Sequence, residues 1–272
     1  MLSKNEIKDI KALGQKKFRD ERGLFVVEGE KLVEEALRSG FEVVAQYRVE
    51  DIGEDAMARI SQLTHPSPAL AVVRQPASTH FTPQPDDLVL ALDGVRDPGN
   101  LGTILRIADW FGIRQVLTSE DTVEVFNPKT VQATMGAIFR VRVHYCDLPS
   151  QLSSMRDCVA AGGIYSQGSC SRRWLGSGRE HFSASGTKYQ SSGAIPIYGT
   201  FLEGDNIYAM PLTQGGIIVM GSEAHGISPE VAATVTRKLH IPSYPPGIPT
   251  SESLNVAVAT AITVAEFRRR IA

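Results

Sequence analysis

Residues 88–112 read LVLALDGVRDPGNLGTILRIADWFG, an apolar run that breaks into a glycine-rich turn and reopens as a helix. Residues 88–92 are uniformly apolar, the pattern of a strand covered on both faces. Asp93-Gly94 and Asp97-Pro98-Gly99-Asn100 are turn chemistry that stops the strand. Asn100 is the expected N-cap, Leu101, Ile104, Leu105 and Ala108 share one helical face, and Gly112 is the expected stop. Arg106 lies off that apolar stripe. Ligands of open α/β sheets bind outside the carboxyl ends of the strands, where this turn and the first helical turn lie. The stretch therefore predicts a polar site in an α/β fold.

Composition bounds what surrounds it. The 272 residues are 42% hydrophobic, enough for about two domains with real cores. Lys+Arg 28 against Asp+Glu 30 gives a formal net charge of −2, so any basic footprint is local. Cys146, Cys158 and Cys170 form no C-x-x-C pair, and their odd number argues against a disulfide framework or a zinc site. No metal is expected. The N-terminus carries no apolar signal region and no window is long enough to span a bilayer, which predicts a soluble, cytoplasmic protein with no membrane partner.

Three prolines, Pro76, Pro83 and Pro85, mark residues 76–86 as a linker between a small domain at 1–75 and a larger one at 87–272. In the small domain Ser3-x-x-Glu6 is a capping box, and the helix it opens turns Ile7, Ile10 and Leu13 inward and Lys4, Lys8 and Lys11 outward. Strands near 24–27, 43–49 and 70–73 alternate with helices at 30–39 and 54–63, a small α/β unit. In the larger domain strands are expected at 115–118, 138–144, 195–199, 216–220 and 239–242, with helices from Pro128, at 147–161, from Pro229 and at 254–270. Residues 165–194 are Ser/Gly-rich with a local basic excess and no period, and read as a surface insertion.

Three loops follow strands in this larger domain, at 96–100, 221–226 and 243–253. The stretches LDGVRDPGNLGTILRIADWFG, IIVMGSEAHGIS, and HIP followed by SLNVAVATAI resemble the three motifs of the SpoU/TrmH family of RNA ribose 2'-O-methyltransferases, within the SPOUT superfamily. FNPKTVQATMGAIFRV and IYGTFLEGDNIY are also similar to this family, and RGLFVVEGEKLVEEAL resembles its small substrate-binding domain. Three motifs in order are far more specific than one glycine-rich loop.

The resemblance implies a C-terminal parallel-sheet SPOUT domain with a deep trefoil knot, a feature that periodicity alone never suggests. It implies catalytic-centre residues Asn100, Arg106, Glu223, Ser253 and Asn255, and S-adenosylmethionine held at Met220, Gly221, Gly226, Ile241, Pro242, Ser253 and Leu254. It also implies a structured RNA substrate, ribosomal or transfer RNA, and a homodimer through the knotted domain. Lys4, Lys8, Lys11 and Arg22 are the candidate RNA contacts of the small domain. The loop 243–252 is longer and richer in proline than the family's compact turn, but removes no candidate residue.

Methyl transfer to a ribose hydroxyl needs in-line positioning and stabilisation of the emerging oxyanion. A guanidinium that stays protonated suits the second task better than it suits proton abstraction. Read singly, Asn100 and Ser253 are helix caps, Arg106 a solvated arginine, Glu223 a loop carboxylate, His225 a rim residue and residues 268–270 a cationic helix end. A dinucleotide-binding oxidoreductase would want G-x-G-x-x-G, which the loop P-G-N-L-G lacks. A non-catalytic RNA-binding relative and a base-methylating SPOUT enzyme are the alternatives that the residues leave open.

Overall fold

A computed structural model describes residues 2–77, 81, 83, 86–160, 164–166, 169–171, 181–182, 188–189, 195–246, 248 and 251–270, with backbone alone from 157 to 189. The chain begins α1 (Lys4–Ala12), α2 (Lys16–Arg22), β1 (Leu24–Glu28), α3 (Glu30–Arg38), β2 (Val43–Arg48), α4 (Val49–Ile52), α5 (Glu54–Ile60) and β3 (Ala69–Arg74). It continues through β4 (Leu88–Asp93), α6 (Pro98–Trp110), β5 (Gln115–Ser119), α7 (Pro128–Thr134), a 3-10 turn (Ala137–Phe139), β6 (Arg142–Cys146) and α8 (Leu148–Ala160). Four short strands follow, β7 (Ile164–Ser166), β8 (Ser169–Ser171), β9 (His181–Phe182) and β10 (Lys188–Tyr189), then β11 (Ile197–Asn206), β12 (Gly216–Gly221), α9 (Pro229–Ala232), β13 (Arg237–His240) and α10 (Val256–Arg269). Apart from these short backbone stretches, the Ser/Gly-rich segment 165–194 lies outside the described residues.

Two compact units result: Met1–Ser78 with Val95–Arg114 and Val123–Arg142, and Thr79–Gly94 with Gln115–Thr122 and Val143–Ala272. In the first, β1-β3-β2 form an antiparallel sheet. Its core gathers Ile7, Ile10, Leu13, Met57, Ile60, Leu70 and Val72, so the apolar stripe read from α1 is buried as its spacing demands. The capping box forms in full: Ser3 Oγ accepts the Glu6 N–H and Glu6 Oε2 accepts the Ser3 N–H. The same unit holds α6 against α7, where a Cβ at Gly102 would overlap Ala133, so only glycine permits that approach.

In the second unit the sheet order is β13-β11-β12-β4-β5-β6, and the pairs β13-β11, β11-β12, β12-β4 and β4-β5 are parallel. Every residue of β4 is buried, Leu88 to Leu92 as their unbroken apolar run requires and Asp93 with them. Val89, Ala91, Leu117, Leu152, Met155, Ile217 and Val219 pack in one cluster.

Several boundaries differ from the sequence reading. Asp97, not Asn100, caps α6: its carboxylate accepts the Asn100 N–H at 2.8 Å, Pro98 takes the first turn, and Asn100 sits inside the helix. At the other end Gly112 adopts φ 71° and the Ile113 N–H reaches back to the Ala108 carbonyl, the expected stop. Asn255, not Ser253, caps α10, with Oδ1 accepting the N–H groups of Ala257 and Val258. The strand expected at 138–144 is a 3-10 turn followed by β6, and α2 and α4 were hidden by short length and charge. Strand β11 runs to Asn206, well past the expected 199, because its second half re-pairs with β13 after a register shift between Thr200 and Asp205.

Candidate functional site

The carboxyl ends of β4 and β12 lie side by side, with Leu92 opposite Met220 and Asp93 opposite Gly221. Asp93, only 8% exposed, accepts the Ser228 N–H at 2.7 Å and so ties the end of the first motif strand to the segment closing the second motif. Gly94 turns the chain with φ 69° and donates its N–H to Ser119 Oγ. Ser119 in turn donates to Asp121 Oδ1 at 2.7 Å and lies 3.1 Å from Thr122 Oγ1. The turn out of β4 thus rests on a hydrogen-bonded polar buttress, not on apolar packing. No sequence pattern announced Ser119, Asp121 and Thr122 as its supports.

After β12 the chain folds tightly on itself. Ser222 and Gly226 exchange both backbone hydrogen bonds, at 3.0 and 2.9 Å, and Ser222 Oγ accepts the His225 N–H. A Cβ at Gly221 would overlap the Gly226 backbone, so glycine is a steric requirement of this loop. Glu223, Ala224 and His225 are exposed at its tip.

Ile241 and Pro242 follow β13 directly, and Ser253, Leu254 and Asn255 lead into α10, which packs on β12. Leu254 is 47% exposed, and its main-chain N–H and C=O have no partner among the described residues. Residues 247, 249 and 250 of the long loop lie outside the described residues.

Asn100 and Arg106 belong to the first unit, on α6. Arg106 is exposed and makes no ion pair or hydrogen bond among the described residues. The other candidate arginines and lysines of this unit divide. Lys4 and Lys8 are exposed and unpaired among the described residues, whereas Lys11 donates to the Ser61 carbonyl at 2.8 Å and Arg22 to the Asp9 carboxylate at 2.8 Å.

Other polar residues are structural. Arg270 donates to the carbonyls of Ile207, Tyr208 and Met210 and pairs with Glu266, so the basic end of α10 staples a loop and does more than complement a helix terminus. Cys146 has its thiol pushed up to about 11 by burial and then by Asp147 and Glu120, which leaves it inert at neutral pH. Among the described residues no group of three or more His, Cys, Asp or Glu is placed to hold a metal ion, and no helix is long and apolar enough to cross a membrane.

Comparison with known proteins supplies the family. Residues 87–163 and 179–265 match the SpoU rRNA methylase family, and residues 4–58 match the MRM3-like substrate binding domain. The chain belongs to the SpoU rRNA methylase family. Within that family it is 30% identical over 284 residues to the 23S rRNA (guanosine(2553)-2'-O)-methyltransferase RlmP of Bacillus subtilis (strain 168), covering 98% of this chain and 97% of the relative. The SpoU fold also superposes on a TrmH-family structure from Porphyromonas gingivalis at 39% identity and TM-score 0.75, covering 99% of both chains. A crystal structure of AdoMet-bound rRNA methyltransferase from Sinorhizobium meliloti matches with TM-score 0.76 at 27% identity, over all of this chain and 97% of that one. The mixed α/β architecture with a parallel sheet, read from the strand pattern and from the resemblance, is the fold these relatives share.

Proposed function

We propose that this SpoU-family protein transfers a methyl group from S-adenosylmethionine to a ribose 2'-hydroxyl of ribosomal RNA. The observation that carries the reading is the joint match of a substrate-binding domain at 4–58 and the methylase at 87–163 and 179–265 in one chain, aligned end to end with RlmP. When bound, the sulfonium supplies an electrophilic methyl group.

The chain's own residues have separable tasks. The loops at 220–226, 241–242 and 253–254 hold the adenosine and methionine portions, with main-chain recognition at Leu254 supported by its unpaired N–H and C=O. Glu223, Ser253 and Asn255 orient polar groups at the centre, and Asn255 does so from a cap position that also fixes α10. Arg106 receives the phosphate beside the target ribose. An unpaired guanidinium there favours the alkoxide over the hydroxyl as the bond to carbon forms; the hydroxyl proton leaves to water and not to the guanidinium, and the thioether is the leaving group. Asn100, six residues or about 1.7 turns earlier on α6, positions the same nucleotide.

Lys4 and Lys8, and more weakly the already bonded Lys11 and Arg22, supply phosphate contacts from the small domain. A second copy docks on the apolar side of α10, where Val258 is 48% exposed and Ala261, Ile262 and Ala265 continue the stripe half-buried. The trefoil knot is supported by β13 pairing with β11 on the side away from β12 while α10 returns to β12. We place the protein in the cytoplasm.

Ribose-methylation mapping of ribosomal RNA from cells lacking the gene tests the assignment. One 2'-O-methyl group should disappear, return with the wild-type gene, and stay absent or fall by about 100- to 1000-fold in transfer rate with Arg106→Ala. An unchanged map would overturn the activity.

A further inference from the structure

The C-terminal end of α6 carries an aromatic ring that neither the core nor the proposed chemistry uses. Trp110 is 85% exposed and has no ring or cation contact among the described residues. Indoles are highly buried on average, because leaving one in water forfeits a large apolar contribution. Its neighbours are cationic. Arg106 lies one helical turn before it on the same face of α6, and Arg114 lies four residues after it with its side chain 64% exposed. The Asp109 carboxylate beside it is occupied by Arg140, at 2.8 Å, and by Arg114, at 3.5 Å. The Arg142 N–H donates to the Arg114 carbonyl at 2.9 Å, which brings a fourth exposed arginine to the same end of the helix. Arg106, Arg114 and Arg140 against the carboxylates of Asp109 and Glu35 leave a surplus of positive charge around one bare indole.

Protein interfaces enrich both aromatic residues and arginine, so the indole by itself fits a protein or a nucleotide, and the surplus guanidinium charge beside it decides for a partner that carries phosphate. The patch matches a nucleotide, whose base offers a π face and whose backbone offers phosphate one helical-turn spacing away. We infer that Trp110 is a stacking platform for an unpaired nucleotide of the RNA substrate, with Arg106 and Arg114 receiving the phosphates on either side. The inference rests on the reading that RNA is the substrate and adds a surface of the first unit that grips it. Arg140, clamped by Asp109 and Glu35, holds the patch in shape without competing for the ring.

The full-length protein with Trp174→Phe has Trp110 as its sole indole, and a fluorescein-free single-stranded dodecamer of adenylate serves as the probe. Stacking should quench the indole emission on titration. With the same dodecamer carrying a 5'-fluorescein and read by anisotropy, Trp110→Leu should weaken binding by about 5- to 100-fold, the range that stacking of one base supplies, while Trp110→Phe retains most of it. Arg114→Gln should flatten the salt dependence by about 0.7 in log–log slope, one phosphate on a single strand. Affinity for S-adenosylmethionine by calorimetry and molar mass by light scattering should be unchanged in Trp110→Leu. Absent quenching, or Trp110→Leu binding within twofold of the parent, would sink the inference. So would a fall in molar mass in Trp110→Leu, which would make the ring a contact with a second copy. A protein that shows quenching yet leaves the ribosomal RNA methylation map unchanged would keep this surface and remove the enzyme.

Discussion

Helices α2 and α6 lie in the same compact unit and each carries an arginine with a different fate. Arg19 on α2 is 2% exposed, donates Nε to Glu124 Oε1 at 3.1 Å, pairs through Nη2 with the other carboxylate oxygen, and reaches the Leu13 carbonyl at 2.9 Å. Arg106 on α6 is exposed and has none of these partners. A guanidinium buried with a bidentate carboxylate is locked into the fold, since either charge alone would be costly there. One left in water with its fork empty costs nothing to keep and is available to a phosphate. Composition cannot separate the two roles; only the surroundings of each side chain do.

The largest effect should come from breaking the first arrangement. Glu124→Ala leaves Arg19 buried without its partner and should lower the unfolding free energy by about 3–5 kcal/mol, read as a drop in the denaturant midpoint. Arg106→Ala, by the same measurement, should stay within about 0.5 kcal/mol of wild type while abolishing transfer, as surface changes do. A destabilised Arg106→Ala or an untroubled Glu124→Ala would erase the contrast.

A second contrast lies at the two ends of α10. Glu266 is 5% exposed, and the Arg269 guanidinium first, with Arg270, holds its carboxyl down to about 2 against the opposing pull of burial. Because the folded value lies below the ordinary 4.5, the stabilisation is present above about pH 4.5 and is lost as pH falls toward 2. Arg269 is largely in water, so screening limits the contribution to about 1–2 kcal/mol. Glu266→Gln should therefore unfold more readily than wild type at pH 6 and lose most of that difference by pH 2.5 in parallel thermal scans. A difference that persists at low pH would assign the effect to packing. At the N-terminal end, Asn255→Ala should cost about 1 kcal/mol through the lost cap, while Ser253→Ala should cost under about 0.5 kcal/mol. Equal costs would return the cap to Ser253.

The two helix starts show where sequence reading succeeds and where it stops. Both helices were legible from apolar spacing, and both had an asparagine in a plausible cap position. In α6 the cap is Asp97, because Pro98 at the first helical position fixes the backbone one turn earlier than Asn100 would. In α10 Ser253 and Asn255 are equally good residues for the task, and the choice fell to the one whose oxygen reaches two N–H groups. Local propensity ranks such candidates; geometry chooses. The buttress of Ser119, Asp121 and Thr122 under Gly94 joins residues more than twenty positions apart and leaves no periodic trace. Nor does sequence reveal that Lys11 and Arg22 already hold partners while Lys4 and Lys8 do not.

By itself the sequence determined the alternation of strands and helices, the buried character of β4 and β12, the capping box at Ser3 and the three motifs that identify the family. Those features are local, written in spacing and residue type over windows of a few turns. Only the tertiary structure decided which arginine is a bolt and which is free, that Gly221 is required by the backbone of Gly226, that β11 runs on to pair with β13, and that an indole stands in water among arginines. These depend on residues distant in the chain meeting in space. Burial and hydrogen-bond partnership are properties of that meeting, not of the residues themselves.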